Sequence, residues 1–168
     1  MKPIYHLYCL ICLMAFTVIS CSECCEGNAF EFRARIELTV KKNDTLELVY
    51  TNKASKTASI VKIVEGKDEP QFVEFCLNEE PVDLAFQFGN ELKDYQLKIA
   101  SLLLENKDYQ LFIREGHQFH MYFQGNKNIT YLKDTNNYQF SRTDEVTNTP
   151  VLNARKPMKT RLKKRLQL

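Results

Sequence analysis

Apolar and polar side chains alternate along residues 30–40. Phe30, Phe32, Ala34, Ile36, Leu38 and Val40 interleave with Glu31, Arg33, Arg35, Glu37 and Thr39. A period of two over eleven residues predicts a strand with one buried face. Turn chemistry follows at "KKNDT", and "LELVYT" resumes the alternation around Leu46, Leu48 and Tyr50. "SIVKIVE", "QFVEFCL" and "VDLAFQFG" repeat it, the last with Val82, Leu84, Phe86 and Phe88 on one face. "YQLKIASLLLE" would set Tyr95, Leu97, Ile99, Ser101 and Leu103 on one side, and "DYQLFIREG" and "HQFHMYFQG" complete the series. About eight strands separated by Asn, Asp, Gly, Pro and Lys clusters predict an all-β fold, an antiparallel β-sandwich of jelly-roll or Ig-like type.

A helix competes at one place. Leu92, Tyr95, Leu97, Ile99, Leu102 and Leu103 also fit a helical stripe, and the Leu, Ala, Lys and Glu of this stretch favour it. The β character of both flanks favours a strand, with a short helix near 92–104 as the alternative.

The 168 residues suffice for one domain with a core of its own. Their net charge of +2 conceals an asymmetry: residues 21–154 carry 15 basic against 21 acidic side chains, whereas 155–168 hold seven basic residues and no acid. An acidic body argues against a nucleic-acid-binding domain. The division expected is a signal peptide over 1–20, a tether over 21–29, the sandwich over 30–140 and a flexible basic tail over 141–168. Terminal charge runs are commonly solvated. Leu162, Leu166 and Leu168 fall roughly on one side of the tail, which would suit an anionic lipid surface or an acidic partner.

The first twenty residues have one lysine, no acid and an apolar centre from Leu7 to Ile19, the layout of a secretory signal. That centre is shorter than the ~20 residues of a membrane span. Its end, "VISC" at residues 18–21, resembles the lipobox of bacterial lipoproteins, with Val and Ile where Leu and Ala or Ser are commoner. The resemblance implies a diacylated Cys21 as mature N-terminus, an extracytoplasmic protein held on a membrane, and, with Ser22 following, the outer membrane. Several acyl chains hold far more firmly than one. Plain secretion is the alternative, because Val18 and Ser20 also satisfy the rule for ordinary cleavage.

Cys24, Cys25 and Cys76 remain in the mature chain besides Cys21. A disulfide from Cys24 or Cys25 to Cys76 fits an oxidising compartment, and the odd count leaves one thiol over. The plainer reading makes Cys76 a small core residue and leaves the other two in the tether. A zinc site pairing "CSEC" with His117 and His120 of "HQFH" is not expected. Residues three apart on a strand point to opposite faces, and an acylated Cys21 offers no thiolate.

From about Asp44 to Asn128 the order of elements resembles the carbohydrate-binding-like jelly-roll domains appended to bacterial extracytoplasmic enzymes. The likeness runs through "QFVEFCL", "VDLAFQFG" and "YQLKIASLLLE". That family tends to carry arginine where Ala85 stands and aspartate where Gln87 stands, so the resemblance implies the fold more than the ligand.

No catalytic constellation accompanies this pattern. His117 and His120 have no recognisable Ser or Asp partners, and Glu79 and Glu80 of "NEEP" read as a solvated turn. A non-enzymatic module without cofactor or metal is therefore expected, one that binds a protein partner or serves a structural role. A glycan-binding module is the alternative. Its stacking platform would come from Tyr50, Tyr95, Tyr109, Tyr122 and Tyr131, since the chain has no tryptophan.

Overall fold

A computed structural model describes residues 25, 30–89, 96–141 and 149–165. Strands β1 Phe32–Val40, β2 Asp44–Asn52, β3 Thr57–Val64, β4 Gln71–Leu77, β5 Pro81–Phe88, β6 Gln96–Glu105 and β7 Gln110–Arg114 come first. Helix α1 Glu115–Tyr122 is next, then β8 Phe123–Gly125, β9 Ile129–Leu132, β10 Asn137–Phe140, β11 Val151–Ala154 and helix α2 Lys156–Arg165. They form two antiparallel sheets, one ordered β4-β1-β6-β10-β9 with β7 also on β6, the other β3-β2-β5-β11-β8. The all-β sandwich read from the pattern is the fold, with two short helices added.

The alternating strands bury the face the pattern assigns to them. Phe32, Ala34, Ile36, Leu38 and Val40 of β1 meet Leu46 and Leu48 of β2 and Leu84, Phe86 and Phe88 of β5 in one core. Phe86 lies at its aromatic centre, its ring 5.5 Å from Phe123, 6.2 Å from Phe119 and 6.4 Å from Phe75.

Strand β6 departs from simple alternation. Ile99 pairs with Leu38 and Ser101 with Glu37, so Ala100 is an extra residue in the ladder. A bulge of this kind reverses the parity of the residues after it. Leu97 and Ile99 are buried before it and Leu102 and Leu104 after it, while Ser101, expected on the core side, turns away and donates to Glu37 at 2.8 Å. Residues 96–105 are strand, not helix; the candidate helix residues before Gln96 lie outside the described residues.

Two further expectations need correction. The segment "HQFHMYF" is helical over its first six residues. A strand would have put Phe119, Met121 and Phe123 on one face, but a helix brings together residues four apart. Phe119 and Phe123 stack at 4.4 Å in the core and Met121 is left exposed. Residues 149–165 are not a solvated tail. Leu152 and Ala154 of β11 enter the second sheet between β5 and β8, and Met158 and Leu162 of α2 are fully buried. Their spacing of four places both on one helical face, and the lysines and arginines of the same helix cover the other.

Candidate functional site

Helix α1 is set by tight contacts at its start. Glu115 takes a left-handed φ of 70°, and a side chain at Gly116 would come within 2.4 Å of the Asn136 carbonyl oxygen. The β9–β10 turn therefore presses directly on the helix, which only glycine permits. Tyr131 of β9 lies on the His120 ring, stacked at 4.2 Å, and Tyr138 is enclosed behind it with no hydrogen-bond partner for its hydroxyl among the described residues. Burial, then the electrostatic influence of the neighbouring Arg155, His117 and Lys133, holds the His120 pKa below its usual value. Burial raises the pKa values of Tyr131 and Tyr138. The pair His117 and His120 thus stands on a helix, and the opposite-face argument for a strand does not apply to it. Among the described residues no three His, Cys, Asp or Glu side chains converge as metal ligands.

Arg155 links this cluster to α2. Its Nε donates to the Phe123 carbonyl oxygen at 3.0 Å, and its Nη2 lies 3.5 Å from His120 Nε2. Helix α2 packs beside the first half of β5, which β11 does not reach, and Lys159 Nζ donates to Asp83 Oδ2 at 2.5 Å. A cleft of about 760 Å³ opens here, lined by Met121, Gln124, Arg155, Lys156, Lys159 and Lys163 among others. Among the described residues no carboxylate lines it.

The second surface is the edge of the β3 sheet. Strand β3 pairs only with β2 among the described residues, and its outward side chains Val61 and Ile63 are 56% and 81% exposed. The exposed phenylalanines of the opposite sheet differ, because each is capped by a cation: Arg35 lies over Phe72 and Arg114 over Phe112, both at 5.2 Å. Beside Val61 a shallow groove of about 270 Å³ is lined by Thr45, Glu47, Gln87 and Thr149.

The tyrosines named from the sequence do not form one platform. Tyr50, Tyr109, Tyr122 and Tyr131 all pack partly buried against the core. One face of Tyr131 is taken by His120, and Arg161 lies 5.3 Å over Tyr122. Tyr95 lies outside the described residues, as do Cys21 and Cys24. Cys25 and Cys76 are joined by a disulfide, their Cα atoms 5.7 Å apart. Cys76 alternates with buried Phe75 and Leu77 and is therefore not a core residue. The Cys25 backbone N–H donates to Glu74 at 3.2 Å, and Arg33 pairs with both Glu74 and Glu105 across β4, β1 and β6.

Sequence reasoning counted the charges of the tail but missed the cleft they line. It also passed over Val61 and Ile63, because an alternating strand with apolar residues on both faces reads as buried. The signal was the run "SIVKIV", where four of six residues are apolar although the strand lies at a sheet edge.

These features define a two-sheet antiparallel sandwich with a basic cleft at one end and exposed apolar side chains on an edge strand. No protein-family model, no curated protein and no solved structure matches the chain.

Proposed function

We propose that this chain is a non-enzymatic, lipid-anchored β-sandwich of the bacterial envelope that holds a protein partner along β3. The observation that carries the reading is the exposure of Val61 and Ile63 on an edge strand. Edge strands of soluble domains are ordinarily blunted by charges, proline or a covering element, since unpaired backbone groups beside apolar side chains recruit further strands; β3 carries one such charge, Lys62, yet leaves Val61 and Ile63 exposed on its other face. The partner's contribution is an extended segment added to β3, its alternate apolar side chains seated over Val61 and Ile63. Anchoring through Cys21 rests on the likeness of "VISC" to a lipobox.

The groove beside Val61 supports a glycan module as the second reading. Thr45, Glu47, Gln87 and Thr149 offer hydroxyl, carboxylate and amide groups suited to sugar hydroxyls. Gln87 stands where the resembling jelly-roll family carries aspartate. Among the described residues no tyrosine lines this groove, so it lacks a stacking face.

Site-specific photo-crosslinking in the envelope of the native host tests the proposal. A probe at Ile63 is expected to yield a discrete protein adduct that a probe at exposed Lys164 does not. Val61→Lys is expected to abolish it while shifting the melting temperature by no more than a degree or two, since exposed substitutions cost within about 0.5 kcal/mol. An adduct unchanged by Val61→Lys, or identical from both probe sites, would remove β3 as the docking edge.

A further inference from the structure

We infer that the cleft between α1, β8 and α2 binds the phosphate-bearing headgroup of an anionic membrane lipid. The cleft itself stands on its own residues, and its place at the membrane rests on the lipid-anchored reading above. Arg155, Lys156, Lys159 and Lys163 line one concavity with the Thr160 side chain and, among the described residues, no acid. Lys159 is engaged by Asp83, but among the described residues no carboxylate pairs with Arg155, Lys156 or Lys163. Three cations without a carboxylate partner among the described residues thus meet at a single hollow, which suits a phosphodiester: the two ammonium groups supply point charges, and the guanidinium adds charge and the donors that Phe123 and His120 leave over. Met121, 57% exposed, also lines the cleft and adds an apolar surface that an acyl-glycerol can cover and a free phosphate cannot use.

The topology places this cleft at the end of the sandwich that carries the Cys25–Cys76 disulfide. Strand β4 ends at Leu77 and β5 starts at Pro81, so Cys76 and Asp83 lie at the same end of the sandwich. Cys25 is fixed there by its disulfide to Cys76, and α2 is fixed there by Lys159 and Asp83. Cys21 precedes Cys25 by four residues, a stretch of chain that reaches at most about 14 Å. An acyl group on Cys21 would therefore hold this end close to the bilayer surface. Most acids at this end have a cationic partner: Glu74 and Glu105 pair with Arg33, Glu80 with Lys53 and Asp83 with Lys159, while Glu79 is hydrogen-bonded by Asn52 and Glu31 and Asp108 are exposed.

Vesicle co-sedimentation of the mature chain, residues 21–168, carrying Cys21→Ala tests the cleft without the apolar signal segment or any lipid anchor. The chain is expected to sediment with phosphatidylcholine vesicles that contain phosphatidylglycerol, not with phosphatidylcholine alone, and the binding should weaken with salt. The double variant Lys156→Glu and Lys163→Glu changes two exposed side chains and should bind at least about thirty-fold more weakly. Lys42→Glu with Lys67→Glu makes the same change of net charge at the opposite end of the sandwich and should bind as the parent does. Equal loss in both double variants, equal binding to both vesicles, or binding of inorganic phosphate without binding of vesicles would overturn the headgroup assignment. Because this chain cannot be acylated, a negative result removes the cleft and leaves the anchor reading intact. Absence of lipid on the wild-type chain would remove the anchor and leave the vesicle result standing.

Discussion

Replacing Met158 and Leu162 together by alanine is expected to lower the free energy of unfolding by roughly 4–7 kcal/mol. Both side chains are fully buried in the common core. Large-to-small changes at such positions cost about 2–5 kcal/mol each through lost transfer energy and the cavity left behind. They sit four residues apart on one helical face, so the two cavities are coupled and the sum is less than additive. A domain stable by about 5–15 kcal/mol would be brought close to its threshold. Urea unfolding followed by far-ultraviolet circular dichroism measures the shift, with Lys163→Ala and Lys164→Ala on the exposed face as controls expected within about 0.5 kcal/mol of wild type. A double core variant that unfolds at the wild-type midpoint would show that α2 is not part of the cooperative unit.

Opening the disulfide is the second large effect. Cys25 and Cys76 are 51 residues apart and enclose β1 to β4. A crosslink over a loop of that length restricts the unfolded chain by an amount worth about 4 kcal/mol in the chain-entropy account. Cys25→Ser or Cys76→Ser is expected to destabilise the domain by about 3–4 kcal/mol, and added reductant should bring the wild type to the same midpoint. Cys24→Ser is expected to leave the midpoint unchanged, which distinguishes the two adjacent thiols. Equal loss from Cys24→Ser and Cys25→Ser would contradict the pairing.

The strands that were legible in the sequence are those where one face is core and the other is water. Phe32 to Val40 alternate so strictly that period two admits no other element, and β2, β4 and β5 were legible for the same reason. The bulge at Ala100 was not legible, because "KIASLLLE" contains enough leucines to satisfy either parity. Helix α1 was hidden by coincidence: Phe119, Met121 and Phe123 alternate, and only the exposure of Met121 and the contact of Gly116 with Asn136 separate helix from strand. Helix α2 was hidden by its strongly basic composition, in which two buried side chains at a spacing of four look like interruptions in a solvated run. That same helix carries cations of the cleft. Charge was visible in the chain, but its concentration around one hollow depends on α1 and β8 folding against it.

The central claim is a lipid-held envelope module, and intact mass with detergent phase partitioning in a Gram-negative host tests it most directly, wild type beside Cys21→Ala. The mature wild-type species is expected to begin at Cys21, carry added lipid mass and enter the detergent phase, with the lipid mass and the partitioning lost in the variant. A wild-type species cleaved without lipid and recovered in the aqueous phase would contradict it.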